Sequence, residues 1–433
     1  MTPHVSSYLK TTVLAVLVAV ATGIAAGAVL SLLSGLAVVA AGLVAGLAAI
    51  AAVAMAVVLS GLLVLYRQLR VAAGREDLFL ALTRSRGEAA LAAPGSFRAG
   101  FLRRLAARRL LGHDWLVGDE VEIRSLDEIL ATLDGDGCLD GVPFQAEMTR
   151  FCGGRGMVFR SVDKVYDYGR TKQMRRLTGS VLVAGLRCNG ADHGGCEALC
   201  YLIWKTAWLR RPGESAGAVR ARPAAGCIAA GELPGTAPDG APAPRYRCQY
   251  SSLHAASTPF RPWSLARDLR PWIAGNISTA TLLVGLGTRV FNDVQRRRGG
   301  MGFPAVPPPS GGSEAVPEEH LAVGDRVRVR PIAAISRTLN RNSRHKGLWF
   351  DRDMTKHCGA EHRVLARVER IIDDANGEMR LMKTPCIMLD GVDYSGEFLN
   401  FNAQHDLFFW REAWLERLPE DATTGRQGPG RQA

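Results

Sequence analysis

The stretch "GDEVEIRSLDEILATLD" at residues 118–134 and the stretch "GDRVRVRPIAAISRTLN" at residues 324–340 decide the fold. Written one above the other, they match without a gap at an offset of 206 positions. The same offset later places Trp410 under Trp204. A constant offset through turns as well as apolar positions indicates two copies of one module.

Each module is predicted to be a small barrel built from short strands. Val121 and Ile123 alternate with charged residues after a Gly-Asp turn, which is typical of a strand with one buried face. Further alternating stretches, separated by short helical turns, favour a small antiparallel barrel. We therefore predict a mainly β soluble part with two tandem small SH3-like barrel modules and short helices, at residues 118–211 and 324–418.

The amino-terminal part is predicted to be a transmembrane helical hairpin at residues 1–69. No charged side chain occurs from Thr11 to Tyr66, which is more than twice the length that one crossing needs. Crossings at residues 12–33 and 37–66 fit this run. A secretory signal peptide, cleaved after residue 28, is the alternative for the first segment. Both interpretations place the chain at the inner membrane with its modules facing the cytoplasm.

Basic helices are predicted at residues 70–117, where arginines surround an apolar face. The net charge of +12 favours anionic partners. Anionic lipid at residues 98–112 is one prediction, and a solvated helix packed on the next domain is the other. Nucleic-acid binding is disfavoured because the arginines lack interleaved aromatic residues.

The modules are predicted to be joined by a linker at residues 212–323, rich in Pro, Gly and Ala. A helical segment is expected within it at residues 245–297. The chain is expected to end in a disordered tail at residues 419–433.

A cluster of possible metal ligands lies in the first module. The segment "RCNGADHGGCEALC" contains Cys188, Cys196 and Cys200, the last two predicted to share a helical face. In a reducing compartment such thiols bind metal or do redox work. With Cys152 as the fourth ligand and His193 as an alternative ligand, they predict a zinc site, although iron is not distinguished. Buried unligated thiols and a redox pair are the other interpretations.

The second module tests this hypothesis within the sequence. Adding 206 to the four cysteine positions gives Cys358, Tyr394, Asn402 and Asp406, so one ligand of the four is retained. We therefore expect the second module to rely on apolar packing rather than on a metal ion.

The segments "IRSLDEILATLDGDGCLDGVPFQAEMTRFCG" and "RCNGADHGGCEALCYLIWKTAWL" resemble a family of uncharacterised bacterial proteins. That family carries a duplicated module with TLD, GLPFxxEM and CG motifs, then RCDG and HGGC-x3-C. The resemblance covers both modules, but Tyr394 and Asn402 stand here where the family has cysteines. It implies an accessory role in glycan or natural-product biosynthesis.

No familiar catalytic signature is present, since the chain lacks a Walker motif, a G-x-G-x-x-G after a strand and a nucleophile elbow. No catalytic residue is therefore assigned. The leading hypothesis is a membrane-anchored accessory or scaffold protein with protein partners and a structural zinc site. The alternative is a metal- or thiol-dependent enzyme that acts on a membrane-associated substrate.

Overall fold

The computed structural model describes residues 97–113, 115–214, 227–235, 244–260, 265–300, 302–303, 306, 319–394, 396 and 399–419. The predicted hairpin at residues 1–69 lies outside the described residues. So does the predicted tail at residues 419–433, apart from its first residue.

Strands dominate the described chain, and its helices are few. The strands are β1 (Glu120–Ile123), β2 (Cys138–Leu139), β3 (Val142–Pro143), β4 (Arg155–Ser161), β5 (Lys164–Tyr166), β6 (Met174–Arg176), β7 (Ser180–Arg187), β8 (Tyr201–Lys205), β9 (Leu209–Arg210), β10 (Glu232–Leu233), β11 (Arg245–Tyr246), β12 (Thr258–Pro259), β13 (Arg326–Val329), β14 (Arg344–His345), β15 (Leu348–Trp349), β16 (Glu361–Ile372), β17 (Met379–Leu389) and β18 (Leu415–Arg417). The α-helices are α1 (Phe97–Leu110), α2 (Leu126–Leu130), α3 (Leu253–Ala256), α4 (Leu265–Ala274), α5 (Thr279–Arg297) and α6 (Ile332–Thr338). Short 3₁₀ helices occur at Ala146–Phe151, Thr206–Trp208, Arg352–His357 and Glu412–Trp414.

The first module folds around a five-stranded antiparallel sheet in the order β8, β7, β4, β1, β9. In β1 the buried residues Val121 and Ile123 alternate with glutamates, as the sequence pattern predicts. The 3₁₀ helix Thr206–Trp208 leads from one edge strand of this sheet, β8, to the other, β9. The sheet curls around its apolar face as a half-barrel.

Aromatic rings fill the core of this half-barrel. Phe144 meets Trp204 and Trp208 edge to face, with ring centroids 6.4 and 5.3 Å apart. The Trp208 indole N–H donates a hydrogen bond to Thr132 Oγ1 at 3.0 Å, so the buried ring leaves no unpaired polar atom. This bond ties the 3₁₀ helix before β9 to the turn after α2.

The second module repeats these elements. Its four-stranded antiparallel sheet has the order β17, β16, β13, β18. The strand β13 begins 206 positions after β1, and the 3₁₀ helices that begin at Ala146 and Arg352 are 206 positions apart as well. The aromatic core is also repeated, since the Trp414 indole N–H donates to Thr338 Oγ1 at 2.9 Å.

The two modules contact each other through equivalent residues. The Glu197 backbone N–H donates to the Arg370 carbonyl at 3.1 Å. Adding 206 to the donor and subtracting 206 from the acceptor gives Ala403 and Lys164, and the Ala403 N–H donates to the Lys164 carbonyl, again at 3.1 Å. Two reciprocal hydrogen bonds of this kind are the signature of an isologous, two-fold interface. The modules are therefore related by an approximate two-fold axis.

Part of the segment between the modules is integral to the first core. The buried Gln249 side chain accepts a hydrogen bond from Ile203 N at 2.6 Å and donates to the Ile203 and Pro143 carbonyls at 2.8 and 3.1 Å. Tyr250 and Leu253 pack into the same apolar cluster. Residues 244–260 thus complete the first module.

The basic helix α1 packs on α4 rather than standing alone. Ala107 and Leu111 are buried against the carboxyl end of α4. Arg104 forms two hydrogen bonds with the Asp119 carboxylate, at 2.7 and 2.6 Å. The contact with anionic lipid at residues 98–112 stays a prediction.

The fold class predicted from the sequence, a membrane helical hairpin joined to two SH3-like barrels, needs correction. Within the described residues, no helix is both long and apolar enough to cross a membrane. The longest, α5, carries Arg289, Asp293 and Arg296, and a spanning helix needs about 20 predominantly apolar residues. The described fold is mainly β, with two half-barrel sheets and few helices.

Candidate metal centre

The site lies in the loop between β7 and β8 of the first module. The Cys188 N–H donates to the Cys200 carbonyl at 2.8 Å, which closes the loop at its base. The loop then folds back on itself at Gly190, whose φ is +70°. A Cβ at that position would lie 2.0 Å from the Cys196 carbonyl oxygen, so only glycine fits. This turn directs His193 into the interior.

Three buried side chains from two segments meet there. They are Glu147 of the 3₁₀ helix Ala146–Phe151, Cys188 at the end of β7, and His193 of the loop, and one ligand atom from each lies within 4.8 Å of the others. The Cys188 Sγ and His193 Nε2 atoms are 3.2 Å apart. Zn–S and Zn–N bonds of about 2.3 and 2.0 Å would hold these atoms roughly 3.5 Å apart. The spacing therefore fits a shared ion after a small adjustment.

The Glu147 carboxylate is incompletely satisfied. Its Oε2 atom accepts a hydrogen bond from the Asn189 N–H at 2.9 Å. Its Oε1 atom is buried and has no hydrogen-bond partner among the described residues. A buried carboxylate oxygen without a partner costs free energy unless a cation or donor meets it. A metal ion beside Cys188 and His193 would supply that partner.

Burial and charge set the protonation states of the other two groups. Burial raises the pKa of the Cys188 thiol, and the neighbouring Glu147 carboxylate raises it further. Burial lowers the pKa of His193, which keeps the imidazole neutral near pH 7 and its lone pair available to a metal. The thiol must lose its proton to become a ligand, and a divalent cation favours that loss.

Gln145 orients the imidazole. Its side-chain amide lies 3.2 Å from His193 Nδ1, and both side chains are buried. The atom that lies 3.2 Å from Nδ1 is the amide nitrogen of Gln145, which donates to Nδ1 and leaves the ring proton on Nε2. Binding of an ion through Nε2 would require the amide to turn over, so that its oxygen accepts a hydrogen bond from Nδ1–H. Metal-binding histidines are commonly held by such an outer hydrogen bond, which fixes the tautomer and the plane of the ring.

The structure brings two of the sequence-predicted ligands together. Cys188 and the alternative ligand His193 are in the group with Glu147, whereas Cys152, Cys196 and Cys200 lie outside it. Cys152 Sγ lies 3.9 Å from the Met148 carbonyl oxygen, and Cys196 Sγ accepts a hydrogen bond from a backbone N–H of the second module at 3.4 Å. Within the part of the chain that the structure describes, this is the one group of three such ligands.

The predicted helix that carries Cys196 and Cys200 does not form. Residues 196–200 have no regular secondary structure, and Leu199 has a φ of +50°, which a right-handed helix cannot accommodate. The Glu197 N–H is instead bonded to the second module. The two thiols therefore do not share a helical face.

No protein-family model and no curated protein sequence matches this chain.

Sequence reasoning missed Glu147, and the signal for it comes from the structure. The equivalent residue of the second module, Asp353, forms a salt bridge with Lys356 at 2.5 Å. The residue equivalent to Lys356 is Arg150, whose guanidinium lies instead over the Phe151 ring. Asp353 thus has a lysine as its cationic partner, whereas the equivalent Glu147 is buried without one among the described residues. Glu147 is therefore a candidate for binding a metal cation.

Proposed function

We propose that the chain is a metal-binding protein whose first module holds one zinc ion at Glu147, Cys188 and His193. The observation that carries this proposal is the buried, unpartnered Oε1 atom of Glu147 beside a thiol and a neutral imidazole. Thiolate, imidazole and carboxylate are the three protein ligands that zinc accepts most readily. Iron accepts the same donors and remains the competing metal.

The ion serves folding in this proposal. All three side chains are at most 8% exposed, so the ion would lie in the interior. Gly231 packs directly on the loop, because a Cβ at that position would lie 2.1 Å from the Asp192 carbonyl oxygen. The ion would tie the loop to the 3₁₀ helix, two segments about 40 residues apart. Structural zinc contributes directly to the free energy of folding in such arrangements.

The folded module then acts as half of a scaffold. The nine cysteines are free thiols, which supports a reducing compartment such as the cytoplasm. The paired modules present a joint surface to protein partners, and the accessory role in biosynthesis follows from the family resemblance alone.

Metal analysis with matched variants tests the proposal. Purified chain should contain about one zinc ion per molecule. Cys188→Ser and His193→Ala should each remove it, whereas Cys196→Ser should retain it because that sulfur is bonded elsewhere. Loss of zinc in Cys196→Ser together with its retention in Cys188→Ser would refute this ligand set and favour a site built from the other cysteines.

A metal-dependent enzyme is the second candidate, favoured by the number of ligands. Three protein ligands leave one tetrahedral position for water or substrate, which is the pattern of catalytic zinc sites. Cobalt-substituted protein distinguishes the two candidates. A visible spectrum that changes when azide is added indicates an accessible fourth position and supports the enzyme, whereas an unchanged spectrum supports the structural ion.

A further inference from the structure

One edge of the first module is covered by a segment that lies outside the repeat. This covering segment, residues 244–260, comes from the stretch between the modules. Its buried Gln249 side chain bonds the N–H and C=O groups of Ile203 in β8 and the C=O group of Pro143 in β3. The segment therefore bridges β3 and β8 through their backbone.

The equivalent backbone groups of the second module lack such a partner. The residues equivalent to Ile203 and Pro143 are Phe409 and Trp349. Within the described residues, no hydrogen bond reaches the N–H or C=O group of Phe409 or the C=O group of Trp349. Backbone polar groups at the edge of a sheet can bond a segment from another chain.

The apolar side chains at this edge are also less covered in the second module. Val142 and Ile203 of the first module are 2% and 1% exposed. Their equivalents, Leu348 and Phe409, are only half-buried, and Trp349 beside them is 50% exposed. The second module thus has an open apolar groove where the first module has a filled one.

A pair of equivalent glycines shows the same difference. In the first module, a Cβ on Gly141 would lie 3.0 Å from the Cα atom of Ala256, in the covering segment. In the second module, a Cβ on Gly347 would have no atom of a described residue within 4 Å. No described residue of the chain therefore takes the place of the covering segment there.

The charge at the rim of the groove indicates what it can accept. Arg247, two residues before Gln249, donates a hydrogen bond to Cys138 Sγ at 3.0 Å. The residue equivalent to Cys138 is Arg344, which is exposed and donates to the Gly347 carbonyl at 3.1 Å, a contact that leaves its charge in place. An arginine at the Arg247 position of an occupant would meet a like charge, whereas a carboxylate would pair with Arg344. A second copy of the covering segment is therefore a poor occupant.

We propose that this groove, formed by residues 347–349 and Phe409, binds an acidic segment of a partner protein. A glutamine of that segment bonds the backbone of the groove as Gln249 bonds the first module. A carboxylate two positions before the glutamine pairs with Arg344. An aromatic residue and a leucine, one and four positions after the glutamine, pack on Leu348 as their counterparts pack in the first module.

Binding of synthetic peptides to the full chain, measured by fluorescence anisotropy, tests this proposal. The basic peptide has the sequence of residues 245–257 with Cys248→Ser, and the acidic peptide carries Arg247→Glu in addition. The acidic peptide should bind at least about fivefold more tightly than the basic peptide, since it exchanges repulsion for attraction. Adding Gln249→Met to the acidic peptide should weaken binding by about tenfold or more, because the hydrogen bonds to the groove are lost.

Two charge-reversal variants locate the binding. Arg344→Glu should reverse the preference, so that the basic peptide binds more tightly than the acidic one. Arg109→Glu makes the same change at an exposed arginine of α1 and should bind like the parent chain. Equal loss of acidic-peptide binding in the two variants would indicate general attraction to a basic chain and would overturn the proposal.

Two results with the parent chain would also overturn it. Tighter binding of the basic peptide would identify a second copy of the covering segment as the occupant. Absence of binding up to about 1 mM is expected if another part of the chain fills the groove. None of the three metal ligands lies in the groove, so these outcomes are independent of the metal site.

Discussion

Replacing Glu147 with glutamine should change the stability of the protein in opposite directions with and without zinc. The carbonyl oxygen of glutamine can still accept the Asn189 N–H, so the fold of the 3₁₀ helix is preserved. The amide nitrogen then takes the place of Oε1 and can donate to Cys188 Sγ or to His193 Nε2. The substitution removes a buried charge and a metal ligand in one step.

The magnitudes follow from these two losses. Without metal, the parent chain carries a buried carboxylate oxygen that lacks a partner, a defect worth about 1–3 kcal/mol or more for a charged group. Glu147→Gln should therefore raise the free energy of unfolding by about 1–3 kcal/mol in a chelator. With free zinc at 100 times its Kd, the parent chain gains about 2.7 kcal/mol, and the variant should forfeit most of this gain.

Urea unfolding, followed by tryptophan fluorescence with zinc and with a chelator, measures both effects. Asp353→Asn is the matched control, because Asp353 is the equivalent residue of the second module and pairs with Lys356. That variant should be destabilised equally under the two conditions. If Glu147→Gln is also destabilised equally under both, the carboxylate serves packing alone and the metal assignment is wrong.

Three further perturbations follow from the same geometry. Gln145→Ala should weaken zinc binding by about 10–100-fold without changing its stoichiometry, measured by competition with a chelating dye. Zinc affinity should rise about tenfold per pH unit near neutrality. The raised pKa of the Cys188 thiol means that zinc binding releases one proton there, whereas His193, whose pKa is lowered, releases none. Calorimetric titrations in buffers of different ionisation enthalpy count the released protons, and a count of zero would contradict this prediction. Trp208→Phe and Trp414→Phe should each cost about 1–3 kcal/mol of unfolding free energy in chemical denaturation, because each loses ring contacts and a hydrogen bond to threonine.

The strands were accessible from the sequence because they depend on local patterns. Alternation in "EVEI" and "RVRV" specifies which side chains face the core, and the structure has β1 and β13 at those residues. Because equivalent residues are a constant 206 positions apart, the buried positions of the first module also identify those of the second. Such signals need no knowledge of which distant segments meet.

Local sequence patterns could not predict which residues form the metal group. Cys196 and Cys200 have helical spacing, but the Glu197 N–H pairs with the Arg370 carbonyl of the second module, and the segment has no helix. A contact between modules thus overrides the local preference. The sequence indicated Cys188 and His193 through their loop, whereas Glu147 enters from a segment about 40 residues earlier and is identified by its unsatisfied oxygen.

The interface between the modules explains why two copies are present in one chain. Arg187 and Asp393 are equivalent residues, 206 positions apart, and they form a salt bridge with each other at 2.8 Å. Residues that contact their own equivalents lie on the two-fold axis. Pairing of two first modules from separate chains would place Arg187 against Arg187, and pairing of two second modules would place Asp393 against Asp393. Like charges at this distance repel, so the axis favours one first module with one second module. Joining both copies in one chain supplies that combination at high effective concentration.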